Sequence, residues 1–297
     1  MKNDEPTVGR RVLLRTAVFL GIAAASGLLS GGESGTPGAG TASGPAGPAP
    51  AAGPGPHPAA GAPGLSQGLP ERSYRLRPMT AEAPARQTAA KPAVRTRPIL
   101  ELPSDPSTAG AMVLTFDDGP DPRYTPAILD TLARYGVRAM FFVCGEMAAE
   151  NRDLLRRMAD EGHVIGNHTW THPHLTRLSR PALAAEIART SEVVEQTVGE
   201  PPLWFRAPYG EWNRAAFEVG AELGMEPLAW TVDTLDWKEP GTATIVSRVL
   251  GGAAPGVIVL SHDAGGDRTQ SVRALDSYLP QLLARGYRMT LPVLPAR

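Results

Sequence analysis

Two adjacent carboxylates, Asp117 and Asp118, close the apolar run MVLTF and are followed by Gly119 and Pro120. Further along, His168 and His172 stand four residues apart in HTWTH, directly ahead of Pro173. Two imidazoles and one carboxylate leave coordination positions open for water or substrate. That is the arrangement of a catalytic metal site, and the N/O donor set suits zinc or a similar divalent ion. The histidines can meet one cation where the chain turns sharply after a strand, and Pro173 is the residue expected to turn it. Of the two carboxylates, one can bind the ion while its neighbour acts as general base, and the cation lowers the cost of holding both ionised side by side. Spacing does not say which does which.

Such a constellation needs elements that bring distant segments to one place. From Pro103 onward, apolar runs with strand character alternate with runs of helical spacing. AMVLTF is followed by TPAILDTLARYG, RAMFFVCG by NRDLLRRMADEG with Asn151 as its expected N-cap, and HVIGNH by PALAAEIARTSEVVEQTVG. LWFRAPYG, EPLAWTVD, GVIVLSHD and YRMTLPVL continue the series, with NRAAFEVGAELG, TATIVSRVLGG and RTQSVRALDSYLPQLLARG between them. Roughly seven strands that are apolar throughout, most of them followed by a helix, predict an α/β fold with a parallel sheet, as a barrel or an open doubly wound sheet. No G-x-G-x-x-G follows the first strand and no P-loop sequence occurs, so nucleotide binding has no support. Asp117 and Asp118, His168 and His172, Arg206, Asp233 and Asp236, and His262 fall at the C-terminal ends of successive strands, where α/β proteins place their sites. A single such residue is more often a helix cap or a hydrogen-bonded structural group; five strand ends together are not explained by capping. His163, inside the third strand region, reads as structural, and His174 as a support beyond the pair.

The rest of the 297 residues is organised differently. Arg10, Arg11 and Arg15 flank and precede the apolar stretch from Thr16 to Ser30, too short for a comfortable membrane span and suited to an export signal over 1–30. GRRVLLR resembles a twin-arginine signal with Gly9 in place of the usual Ser or Thr, and an ordinary secretory signal or an uncleaved anchor remains open. Residues 31–102 are dominated by Gly, Pro and Ala, a composition with too little apolar side chain to offset ordering, and are expected to be a disordered tether. His57 lies in it. Residues 103–297 are long enough for a sizeable core. Cys144, the one cysteine, rules out an internal disulfide and reads as a small apolar residue at a strand end. The formal net charge of −1 gives no basis for nucleic-acid binding.

TFDDGP (115–120), HTWTH (168–172), RAPYG (206–210), DTLDW (233–237) and LSH (260–262) resemble, in order and content, the five motifs of the polysaccharide deacetylases. This is carbohydrate esterase family 4, with the NodB-homology or chitooligosaccharide deacetylase domain. The resemblance implies a distorted (β/α) barrel of about seven strands and a metal-dependent hydrolase. It further implies Asp117 as general base, Asp118, His168 and His172 as metal ligands, and Arg206 as the partner that orients Asp117. By the same resemblance, the Tyr209 backbone N–H would hold the oxyanion and His262 would be the general acid with Asp236 bonded to it. Trp237 and Leu260 would wall the acetyl pocket. Asp233 fits its motif without an assigned role.

The implied reaction is removal of N-acetyl groups from a hexosamine polymer, releasing acetate, with Zn²⁺ the first expectation and Co²⁺ or another divalent ion behind it. An export signal and a long tether favour peptidoglycan over chitin-type oligosaccharides, at an extracellular or cell-wall location, by a monomer with no stable membrane span after processing. An O-acetyl xylan esterase on the same machinery and a non-catalytic glycan-binding module are the alternatives. A phosphodiesterase-type metallohydrolase lacks the further His/Asp cluster it would want. Trp170, Tyr209, Trp212 and Trp237 can offer faces to sugar rings, with packing an equal reading for Trp170 and Trp212.

Overall fold

All seven residues from Ala111 to Asp117 are buried, and a strand covered on both faces calls for a parallel sheet with helices packed against it. The computed structural model describes residues 91–295 and has this arrangement. In chain order the elements are β1 (Ala111–Asp117), α1 (Thr125–Arg134), β2 (Met140–Val143), α2 (Gly145–Glu150), α3 (Arg152–Asp160), β3 (Val164–Asn167), α4 (Arg180–Val198), β4 (Trp204–Phe205) and α5 (Arg214–Glu222). There follow β5 (Glu226–Pro227), β6 (Val232–Asp233), α6 (Thr242–Gly252), β7 (Ile258–His262), α7 (Thr269–Ala284) and β8 (Arg288–Met289). The sheet runs β5-β4-β3-β2-β1-β7-β6, every pairing parallel, and β8 pairs with the first two residues of β1. It curls into a half-barrel whose edge strands β5 and β6 do not pair with each other. The expected distorted barrel of about seven parallel strands is therefore present. The export signal and residues 31–90 of the tether lie outside the described residues, as does His57.

Three expectations are corrected. EPLAWTVD is not one strand. Its start, β5, pairs with β4 at one edge, and its end, β6, pairs with β7 at the other, so Leu228–Thr231 carry the chain across the open side. Asn151 does sit at the N-terminus of α3, but its side chain caps nothing there; its amide donates to the carbonyls of Pro120 and Met147. The folded region also begins before the boundary expected at Pro103. Ile99 exchanges backbone hydrogen bonds with Pro227 and Ala229, Leu102 donates to Gly256 O, and Arg95 meets the buried Glu226 at 2.5 Å. These residues were grouped with the tether because the surrounding composition is Pro- and Arg-rich, whereas the backbone pairing that fixes them has no compositional signature.

Ile99–Leu102 thus joins the end of β5 to the residues just ahead of β7, across the open side. A chain beginning at Glu101 loses the Ile99 half of that join and leaves the Glu226 carboxylate buried without its cation. It is expected to melt well below one beginning at Lys91, as thermal unfolding followed by circular dichroism will show.

Candidate active site and metal centre

The half-barrel interior holds Arg206, the residue after β4 and the largest fully buried side chain among the described residues. Its Nη1 donates to the Thr115 hydroxyl at 2.8 Å and to Asp117 Oδ1 at 2.7 Å. Nη2 donates to Ala229 O at 2.9 Å and Nε to Leu228 O at 3.2 Å. The guanidinium lies 4.0 Å over the Phe142 ring. Gly166, level with Phe142 on β3, leaves room for that ring, since a Cβ there would collide with it. Burial pushes Asp117 up to about 6, against the pull of Arg206 and His262 and with the repulsion of Asp118.

Asp118 follows β1 in a left-handed conformation, φ 80°. Its Oδ1 lies 3.5 Å from His168 Nε2 and 3.4 Å from His172 Nε2. The turn that aims both histidines there comes before Pro173, at Thr169 (φ 69°) and His172 (φ 57°). Two residues that sequence reasoning passed over build it. Asn167 accepts the Thr169 N–H and donates to Ile187 O, while Glu186 accepts the N–H groups of Trp170 and Thr171. A lone Asn and a helical Glu carry no pattern of their own; only adjacency to His168 marks Asn167.

A divalent cation fits this cluster on three observations. The ligand atoms of Asp118, His168 and His172 all lie within 4.8 Å of one another. Asp118 Oδ1 is buried with no hydrogen-bond partner, an orphaned charge that a cation would satisfy. His168 Nδ1 is 2.8 Å from Arg206 O, and a carbonyl only accepts, so that nitrogen bears the proton and Nε2 presents its lone pair to the cluster. Burial and the adjacent His172 hold His168 well below the ordinary histidine range, and burial lowers His172 as well despite the pull of Asp118, so both are neutral as ligands must be.

On the β7 side, Asp236 is gripped completely. Oδ1 accepts His262 Nδ1–H at 2.7 Å, and Oδ2 accepts the His262 backbone N–H at 2.9 Å and the Ser271 hydroxyl at 2.6 Å. Burial works against charge on both groups, but the shared hydrogen bond and attraction win, holding Asp236 down at about 2 and lifting His262 to about 9. His262 is therefore cationic at neutral pH with Nε2–H left over. Asp233, unassigned from sequence, accepts the Leu235 N–H at 2.8 Å and so supports the left-handed Leu235 (φ 50°) that delivers Asp236.

Tyr209 and Trp237 are exposed beside these groups, whereas Leu260 is buried in β7 two residues ahead of His262 and so on the same strand face. Tyr209 sits at φ 58° in a 3₁₀ turn, its ring stacked on His174 (4.2 Å) and edge-on to His172 (4.5 Å). His174 bonds Glu211, consistent with the expected supporting position. Trp170 is taken up by packing against Gly145 under Arg189, and Trp212 by Phe205 and Phe217, so neither offers a free face. His163 is structural, accepting the Ala139 N–H. Cys144 is buried, and burial with the nearby carboxylates raises its thiol well above the usual range, which makes it inert. Asp263, a buried carboxylate next to His262, is a further titratable group at the site that sequence reasoning missed; burial pushes it up to about 7.

Fold and cluster together define a parallel half-barrel with a candidate divalent-metal centre at the C-terminal strand ends, flanked by a paired carboxylate and a cationic histidine. Residues 104–228 match the family described as polysaccharide deacetylase. A peptidoglycan-N-acetylglucosamine deacetylase of Bacillus cereus is 41% identical over 191 residues, covering 64% of this chain and 70% of the relative. A chitooligosaccharide deacetylase of Bradyrhizobium sp. is 39% identical over 197 residues, covering 62% and 90%. The crystal structure of the Bc1960 peptidoglycan N-acetylglucosamine deacetylase superposes with a TM-score of 0.62 at 39% identity, covering 65% of this chain and 89% of that one. A mutant of BA3943, a family 4 pseudoenzyme with restored activity, superposes at 0.61 and 30% identity, covering 66% and 69%. The chain belongs to the polysaccharide deacetylase family.

The charge on His262 depends on Asp236. Replacing Asp236 with Asn is expected to bring the His262 titration, followed by imidazole proton NMR, from about 9 down toward the ordinary histidine value of about 6.5. Persistence near 9 would assign the elevation to another group.

Proposed function

We propose that this chain is an exported, divalent-metal-dependent deacetylase of hexosamine polymers, with peptidoglycan the leading substrate and chitin-type oligosaccharides behind it. The names of its relatives support the reaction class. The observation that carries the proposal is the pairing of opposites around the metal cluster: a carboxylate locked by Arg206 on one side, and a histidine kept cationic by Asp236 on the other. A binding module has no use for either. The BA3943 neighbour is a pseudoenzyme by its description, so the fold alone does not imply turnover and the side chains must supply the argument.

Bound by Asp118, His168 and His172, a divalent ion, zinc first and cobalt next, would supply Lewis-acid polarisation of the acetyl carbonyl and make water more acidic. Asp117 is the general base: Arg206 occupies its Oδ1, leaving Oδ2, 3.6 Å from His168 Nε2, to take a proton from the attacking water. The Tyr209 backbone N–H helps hold the oxygen that becomes negative. His262 delivers its Nε2 proton to the departing nitrogen, so the C–N bond breaks to acetate and a free amine instead of an amide anion. Trp237 and Leu260 bound a small apolar pocket for the acetyl methyl. The export signal expected over 1–30 and the expected tether support a cell-wall location, and among the described residues no helix is long and apolar enough to cross a membrane.

The test is acetate release by the full chain, loaded with zinc or cobalt, from peptidoglycan, chitin oligomers and acetylated xylan side by side. Release from an amide substrate, abolished by Asp117→Asn, is the expected result. Release from xylan alone makes it an O-acetyl esterase, and glycan binding that Asp117→Asn leaves untouched, with no release, makes it a binding module. His262→Ala is expected to cost about 10²–10⁴-fold on amides and much less on activated esters. Amide hydrolysis should also decline as pH rises through about 9, where His262 gives up its proton.

A further inference from the structure

Asp263, immediately after β7, is fully buried and takes no part in the chemistry above. Its backbone N–H donates to Asp117 O at 3.1 Å. Its carboxylate accepts the Gly119 N–H through Oδ1 at 3.1 Å. One residue therefore grips the chain on both sides of Asp118, at the carbonyl before it and the amide after it. The second carboxylate oxygen accepts the Thr125 hydroxyl at 2.5 Å, and that hydroxyl accepts the Asp121 N–H at 2.8 Å, which ties the grip to the first turn of α1. Both oxygens are committed, so Asp263 is not itself a ligand.

Gly119 is what permits the approach, because a Cβ there would collide with the Asp263 carboxylate. On the opposite flank, Gly265 (φ 74°) lies so close to Asp118 Oδ2 that a Cβ would collide with it too. The buried Arg268 secures that loop, donating to Ala264 O at 2.7 Å and Gly265 O at 2.8 Å. Asp118 N–H is bound to Phe142 O at 3.1 Å. The left-handed backbone of Asp118 is thus held from β2, from β7 and from the loop after β7, with its carboxylate aimed at His168 and His172. A third carboxylate beside two others is unfavourable, since like charges repel in a buried site. An apolar side chain would fill the space at less cost without holding the amide.

We propose that Asp263, acting with Thr125, is a positioning residue for the metal centre, fixing the Asp118 turn and thereby setting the affinity of the site for a divalent cation. The inference rests on the metal reading proposed above. It is tested on the metal-stripped full chain by competition for Zn²⁺ against a chromophoric chelator, with circular dichroism and thermal unfolding of the metal-free variants alongside. Wild type is expected to bind one ion, lost in His172→Ala. Asp263→Ala should weaken Zn²⁺ binding by about 10–100-fold, as loss of a group that orients a ligand does. Thr125→Val should weaken it in the same direction and Thr125→Ser, which keeps the hydroxyl, should restore it; this pair decides the matter if Asp263→Ala does not fold. Affinities of folded Asp263→Ala and Thr125→Val within twofold of wild type, with His172→Ala unable to bind, would overturn the positioning role alone. A wild-type chain that takes up no Zn²⁺ would instead overturn the metal reading on which it rests.

Discussion

The salt bridge between Arg206 and Asp117 is the constraint around which the domain is built. Both groups are fully inside, where desolvation alone would drive either toward neutrality. They stay charged because four of the five guanidinium N–H groups have acceptors and the carboxylate has the cation it needs. Those acceptors come from β1 and from the residues just after β5, while Arg206 itself follows β4. One side chain therefore ties three strand ends together across the interior. Such a pair adds little net stability, yet breaking it exposes a buried charge and costs several kcal/mol.

Around this pair the chain repeatedly adopts backbone conformations that ordinary residues avoid. Asp118, Thr169, His172, Tyr209 and Leu235 all have positive φ, and each stands in a loop at the C-terminal end of a strand. Strain of about 1–3 kcal/mol per residue persists only where surroundings over-determine it. Here they do: Asn167 and Glu186 hold the histidine turn, Asp233 holds the turn before Asp236, and the Asp263 carboxylate holds the turn after Asp118. Asp118 and His172 of the candidate metal cluster sit on such corners, and a layer of hydrogen-bonded polar side chains behind them keeps the corners in place.

That division explains what the sequence did and did not disclose. The polar groups gathered at the candidate site stand in short strings at strand ends, so Asp117, Asp118, His168, His172, Arg206, Asp236 and His262 were all legible together with the parallel α/β fold. The supports are single polar residues whose partners are remote in the chain, as Asn167 is from Ile187 and Asp263 from Gly119, and nothing local distinguishes them from surface residues. Pro173 was expected to make the turn because proline is a visible punctuation, whereas the turn falls ahead of it and is held by the side-chain acceptors Asn167 and Glu186. EPLAWTVD looked continuous because its apolar residues follow one another with no turn signal between them, although the hydrogen bonds divide it between opposite sheet edges.

The strand order has a consequence for how the molecule is made. β1 lies at the centre of the sheet, but one of its two main partners, β7, is synthesised only after five other strands. While the rest is being synthesised, a largely apolar strand waits with one hydrogen-bonding edge unoccupied, the kind of edge that templates association with other chains. Closing so long a loop is slow, and no disulfide can lock an intermediate in a chain with a single cysteine. The nascent domain is thus most vulnerable to aggregation in the interval before its final quarter emerges, and chaperone demand should concentrate there.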